Sequence, residues 1–361
     1  MGILNANKIP FKDLYGLHKA YIPEDVVEIN MFINLEPILA KFYQDDINKM
    51  ANSLDQDDRY LLSSELLNIC AHYRNFFYSR MNKYTTFFCY WGSDRARYNC
   101  NLFEGFRKRH YSRVARDSTT FMNLNKLVKD NMEIAQLFSE YLPNIYFIDT
   151  QSFDPSALPY YVISANETPI GLFNLVLSKK PLDYQLVSLE RTYLLVADGE
   201  NSYCIKPSNV YRNILKKTKQ KTNSLIHEAF IPLIYSISGL DTLNIKGVSG
   251  YGLSRTISSL EKMINSGQVE NNELFANNMI HDVELLTILV GGRDNLVETI
   301  QNNYKVISYS NIVDNMTPID IHTIGRQFIN RSDNMGLNEL ITQYYERYPL
   351  MMVELMMGEE S

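Results

Sequence analysis

Three kinds of residue in this chain are spaced for chemistry: clustered glycines, runs of arginine and lysine, and a thin scatter of carboxylates. Gly247, Gly250 and Gly252 stand as G-V-S-G-Y-G. Without a Cβ, such a cluster lets backbone pack where a side chain would clash, and it leaves N–H groups free to face an anion. Leu253, Ile257 and Leu260 then recur every three to four residues, with Ser254, Thr256 and Ser258 among them. That period predicts a helix starting directly after the last glycine. A helix N-terminus behind a glycine hairpin suits phosphate, with Lys246 and Arg255 beside it. A tight turn between two packed helices is the alternative.

The basic runs are Arg95, Arg97, Arg107, Lys108, Arg109, Arg113 and Arg116, and Lys216, Lys217, Lys219 and Lys221. Each is a candidate phosphate footprint or, failing that, a solvated helix face. Phe103 and Phe106 fall inside the first run. Aromatic faces stack bases while guanidinium groups neutralise phosphate, so this mixture suits a single-stranded or frayed end. A net charge of −6 argues against indiscriminate coating of nucleic acid.

The elements that must position these residues read as an α/β protein. Glu28 to Leu35 (EINMFINL), Thr85 to Trp91 (TTFFCYW), Asn144 to Asp149 (NIYFID) and a segment running from Leu172 through LFNLVLSKKPLDYQLV read as strands. Residues 191 to 206 alternate as a hairpin turning at Asp198-Gly199. Helical periodicity covers 35–82, a helix starts at Pro207, another spans 224–238, and 270–361 is helical with breaks at Gly291-Gly292 and Pro318. At 361 residues, 45% hydrophobic and 12% aromatic, the chain can bury a large core. No apolar run approaches the roughly 20 residues a membrane helix needs, and no signal peptide opens the chain. A soluble, intracellular protein is expected. The scattered Cys70, Cys89, Cys100 and Cys204 indicate neither a zinc site nor a disulfide framework.

On the glycine stretch the chain resembles the 5′→3′ exonuclease and flap endonuclease (PIN-like) family, whose helix–three-turn–helix element reads roughly G-D-x-x-D-N-I-P-G-V-x-G-I-G. Gly239, Asn244, Ile245, Gly247, Val248, Gly250 and Gly252 match. Other landmarks follow in family order between about Glu28 and Met263. Phe103, Phe106 and Arg107 take aromatic and basic positions of the segment that enters the helical arch, and Ser178, Gln185, Leu186 and Val187 match the strand ending in S-G-D-K-D-x-x-Q-L. The resemblance implies a central, mainly parallel sheet flanked by helices, carrying the helix–three-turn–helix element and a helical C-terminal extension. The expected divisions are 1–206 for the α/β core with its arch, 207–270 for the helix–three-turn–helix region and 271–361 for the extension. The resemblance also implies a monovalent cation on hairpin carbonyls, and Mg²⁺ in active members.

The family's acids are missing. Its metal-binding positions read Asn34, Trp91, Ser156, Leu158, Pro159, Lys180, Leu182 and Leu243, with Asp241 one place out of register. Two-metal hydrolysis needs carboxylates converging on cations about 4 Å apart. The leading reading is therefore a catalytically inactive relative that binds branched or 5′-ended DNA through Arg95, Arg97, Phe103, Phe106, Arg107, Lys108, Arg109, Lys246, Gly247, Gly250, Gly252, Ser254 and Arg255. No metal site or further cofactor is expected. Lys180 is expected to put its ammonium where the metal would lie, against Glu36 or Asp183. One alternative is an active nuclease with a site relocated to Glu36, Asp94, Asp183 and Asp241. Another is a protein-interaction platform, with the methionine-rich residues 340–357 as its first candidate surface.

Overall fold

The computed structural model describes residues 22–35, 61–92, 118–151, 154–165, 167–178, 180–198, 201–216, 226–243 and 245–328. The central sheet has six strands: β1 (Glu28–Asn34), β2 (Tyr84–Trp91), β3 (Ile145–Asp149), β4 (Leu172–Leu177), β5 (Thr192–Asp198) and β6 (Asn201–Ile205). Their order is β3-β2-β1-β4-β5-β6, parallel throughout except for the antiparallel β5–β6 hairpin at one edge. That hairpin closes on the pair Asp198↔Asn201.

Alternation along the strands divides the interior. Met31, Ile33, Phe87, Cys89, Phe147 and Leu175 face one side, under α1 (Leu61–Met81) and α2 (Ser118–Ser139). Phe32, Phe88, Tyr90, Ile148, Val176 and Leu194 face the other, where every later helix packs. Those helices are α3 (Leu158–Ser164), α4 (Pro207–Leu215), α5 (Ile231–Ser238), α6 (Leu253–Asn265), α7 (Glu273–Asn278), α8 (Val283–Leu289), α9 (Val297–Ile307), α10 (Tyr309–Asp314) and α11 (Pro318–Gly325). A parallel sheet buried on both faces needs strands with long apolar runs, as β1 and β2 have.

Local chemistry sets where these elements begin. Asn272, Asp282, Ser308 and Thr317 each accept a backbone N–H through the side chain at the start of α7, α8, α10 and α11. Each such cap stabilises its helix by about 0.5–2 kcal/mol. Pro207 and Pro318 stand in first turns, where a missing N–H costs nothing. The break expected at Pro318 is thus the start of a new helix. The helix expected over 224–238 is a 3₁₀ turn at Glu228–Phe230 followed by α5, because Pro232 fits only a first turn. At the far edge of the sheet Gln327 closes β3: its Oε1 accepts from Asp149 N at 2.7 Å and its Nε2 donates to Asp149 O at 2.9 Å. An edge that would invite another strand is thereby covered.

Candidate functional site

Two places concentrate polar residues. The first lies at the carboxyl ends of β1 and β4, where open α/β sheets place their ligand crevices. β4 ends at Leu177, six residues long rather than continuing through LFNLVLSKKPLDYQLV. Pro181 starts a 3₁₀ helix, Pro181–Ser188, and this turn swings Asp183 back against Ser178. Asp183 is only 2% exposed. Ser178 Oγ donates to one of its carboxylate oxygens and the Tyr309 hydroxyl to the other. Burial pushes this carboxyl above its usual range, against the charge of Lys180 and the two hydrogen bonds. Burial and the Asp183 charge push the Tyr309 phenol well above its own.

Beside this pair, Lys180 Nζ donates to Ser156 Oγ at 3.3 Å, and Asn34 Nδ2 approaches the same oxygen at 3.5 Å. Ser156 N in turn donates to Asp154 Oδ1 at 3.0 Å, which caps the short 3₁₀ helix Pro155–Ala157. Asn34, Ser156 and Lys180, separated by more than a hundred residues at the extremes, therefore meet. Leu158 and Leu182 are buried in the core beside them. Trp91 does not join: alternation sends it to the α1/α2 side, and Tyr90, paired with Asn34, is the β2 residue on the site's face. Leu243 packs at the hairpin instead.

Divalent cations do not fit this set. An amide, a hydroxyl and an ammonium meet where carboxylates would be required; each oxygen of Asp183 accepts from a hydroxyl, and Asp154 caps Ser156 N. Among the described residues no group of three His, Cys, Asp or Glu side chains is arranged to hold a metal. Of the acids weighed for a relocated centre, Asp183 is enclosed as above and Asp241 is exposed in a 3₁₀ turn, Asp241–Leu243. Glu36 and Asp94 lie outside the described residues, as do Arg95, Arg97, Phe103, Phe106, Arg107, Lys108, Arg109 and the tail 340–357.

The second place is the glycine hairpin between α5 and α6. After α5 the chain forms a two-residue ribbon, β7 (Gly239–Leu240) with β8 (Ile245–Lys246), then runs through Gly247–Gly252 into α6. Two of its glycines are required by space. A Cβ on Gly247 would lie 2.2 Å from Ser238 C, and one on Gly239 would lie 2.4 Å from Gly247 N. Gly250 differs from expectation: a Cβ there meets nothing closer than Arg255 Nη1 at 3.8 Å, and what demands glycine is its φ of +83°. Gly252 has nothing within 4 Å of an added Cβ. Asn303 from α9 braces the ribbon, its Nδ2 donating to Ser236 O and Lys246 O.

Gly252 caps α6 with no side-chain acceptor. Among the described residues the main-chain N–H groups of Ser249, Gly250, Gly252, Leu253, Ser254 and Arg255 donate to no protein group. Lys246 and Arg255 are exposed beside them. Carbonyls behave oppositely: Ser249 O accepts from Arg293 Nη1 and Gly250 O from Arg255 Nη1. Arg293, Tyr309 and Asp154 were not expected as site residues. Asp154 carried a usable signal, an acid directly before Pro155 at a helix start. The other two come from far downstream, and no spacing announces them.

No protein-family model matches the sequence, and no curated protein matches it. Solved structures do. A bacteriophage T5 flap endonuclease, described as an aspartate-to-lysine pseudo-enzyme in complex with product DNA and metal ions, superposes with a TM-score of 0.51 at 13% identity. The match covers 89% of this chain and 99% of that one. The T5 5′-exonuclease with bound zinc gives a TM-score of 0.49 at 13% identity, over 89% and 99% of the two chains. The mostly parallel six-stranded sheet between helices is the PIN-like 5′-nuclease fold.

Proposed function

We propose that this chain is a catalytically inactive protein of 5′-nuclease fold that binds the backbone of branched or 5′-ended DNA. One observation carries the reading: Asn34 and Lys180 both donate to Ser156 Oγ where the family resemblance would gather metal-binding acids. Lys180 brings a positive charge to that spot; of the carboxylates described beside it, Asp183 is turned inward onto Ser178 and Tyr309 and Asp154 accepts from Ser156 N. Nothing there holds a cation or lowers the pKa of an attacking water. A lysine for an aspartate is also the substitution carried by the T5 pseudo-enzyme.

Binding is assigned to the glycine hairpin, whose open N–H groups and helix N-terminus face an anion while Lys246 and Arg255 add charge. The Arg107-Lys108-Arg109 segment, with Phe103 and Phe106, would meet a single-stranded end. The test is direct. Purified protein with 5′-flap, nicked and single-stranded DNA in Mg²⁺ or Mn²⁺ should leave every substrate intact, yet shift a forked duplex in fluorescence anisotropy at about 50 mM salt. Cleavage that disappears with Glu36→Gln or Asp94→Asn would establish a relocated site instead. Absence of binding by folded protein would favour an interaction platform.

A further inference from the structure

Tyr251 sits inside the glycine hairpin and is only 4% exposed. Two guanidinium groups rest on its ring: Arg255 from α6 with its Cζ 4.4 Å from the ring centroid, and Arg293 from the turn after α8 at 5.1 Å. Each is further oriented by the hairpin's own carbonyls. Arg255 Nη1 donates to Gly250 O at 3.1 Å; Arg293 Nη1 donates to Ser249 O and its Nε to Val290 O, both at 3.2 Å. Among the described residues neither is paired with a carboxylate.

The turn that carries Arg293 is shaped around the same tyrosine. Gly291 has a φ of +70° and Gly292 of +81°, and a Cβ on Gly291 would stand 2.8 Å from the Tyr251 hydroxyl. Bare backbone is what lets the phenol approach. The double glycine that interrupts the C-terminal helices thus positions Arg293 44 residues away from Ser249.

We propose that Arg255 and Arg293, stacked on Tyr251, form a two-pronged grip for a phosphodiester of duplex DNA, so that the C-terminal extension supplies part of the binding surface. The inference rests on the DNA-binding reading above. Stacking and the carbonyl bonds fix both forks in advance and leave Nε and Nη2 of Arg255 and Nη2 of Arg293 as donors. A planar, permanently charged fork held this way bonds phosphate in two places where an ammonium would act as a point charge. The open N–H groups of Gly252 and Leu253 lie on the same hairpin and serve the same anion.

Fluorescence anisotropy of a blunt duplex against the full chain, repeated over several salt concentrations, decides it. Arg293→Gln and Arg255→Gln should each weaken binding about tenfold and lower the salt slope by about 1, and the double variant by about 2. Arg293→Lys should lose affinity yet keep the slope that Arg293→Gln lowers, a split by charge that a merely structural arginine would not produce. Melting curves accompany each variant. If Arg293→Gln unfolds, Arg255→Gln, altered at an exposed guanidinium, gives the same reading. Wild-type binding with unchanged affinity and slope in folded single and double variants overturns the grip and leaves DNA binding standing. Wild-type protein that binds no duplex at all overturns both.

Discussion

At the carboxyl ends of β1 and β4 the polar side chains satisfy one another, whereas at the glycine hairpin several backbone donors meet no acceptor, and Arg255 and Arg293 meet no carboxylate, among the described residues. Ser178, Asp183 and Tyr309 form a closed chain of hydrogen bonds, and Asn34 and Lys180 converge on Ser156. Around Gly250 and Gly252 the N–H groups face outward and two guanidiniums lie on one ring. The two surfaces of this one sheet-and-helix frame therefore differ in how far their polar groups are answered from within. What separates them is that the first set of polar groups finds its partners inside the chain, while several donors of the second find none among the described residues.

The largest expected effect breaks the hairpin's frame. Gly247→Ala drives a Cβ to 2.2 Å from Ser238 C, which is backbone and cannot step aside. We expect a loss of more than about 4 kcal/mol, seen as a large fall in urea midpoint. Gly250→Ala has room but must hold a φ of +83°, at a cost of about 1–2 kcal/mol. Gly252→Ala, with open space and an ordinary φ of −73°, should change stability by less than about 1 kcal/mol. Equal losses at all three positions would refute a close backbone approach at Gly247 that Gly250 and Gly252 do not share.

The closed network should respond next. Tyr309→Phe removes one of the two hydrogen bonds to Asp183 in a fully enclosed place, so a loss of about 1.5–3 kcal/mol is expected in chemical denaturation. Asp183→Asn should act in the opposite direction at neutral pH. Because burial raises the carboxyl in the folded state, the protonated form is favoured there. Its contribution is present below the ordinary aspartate value of about 3.9 and is lost as pH rises through the folded value. The variant, unable to ionise, escapes that loss. Its Tm advantage over wild type should grow from about pH 3.5 to about pH 7, and a constant difference across that range would mean the carboxylate is not penalised by burial.

Much of the frame was legible because it follows local periods. Glu28–Asn34 and Tyr84–Trp91 alternate two buried faces, and α6 begins at Leu253 directly after the last glycine. The PIN-like fold that the family resemblance implies is the fold observed. The errors arose where geometry is decided by a turn or by distant chain. Read as strand, 172–187 keeps Asp183 apart from Ser178; the 3₁₀ helix at Pro181 brings them together. The family resemblance sets Trp91 at a metal-binding position, but the pleat turns that ring to the other face and leaves Tyr90 beside Asn34. Tyr309 reaches Asp183 across 126 residues and Arg293 reaches Ser249 across 44, separations over which sequence period carries no signal.

The smallest expected effect concerns the monovalent cation that the family resemblance implies at the hairpin. Such an ion is held by main-chain carbonyls, and here the carbonyls of residues 248–252 each already accept a hydrogen bond. Val248 O accepts from Tyr251 N, Ser249 O from Arg293, Gly250 O from Arg255, Tyr251 O from Thr256 Oγ1, and Gly252 O from Thr256 N and Oγ1. The positive charge a K⁺ ion would bring is supplied by two fixed guanidiniums, whose attraction for phosphate depends on ionic strength and not on the identity of the salt's cation. Replacing K⁺ by Li⁺ at constant ionic strength should therefore move the duplex Kd by less than about twofold, within the ordinary counterion-release behaviour of a phosphate contact. Replacing both arginines with alanine removes the competitors for Ser249 O and Gly250 O, so a preference for K⁺ should appear only in that variant. A strong K⁺ requirement in the wild type would place an ion on the second lone pairs of these carbonyls, and the two regions would then differ less than their hydrogen bonds imply.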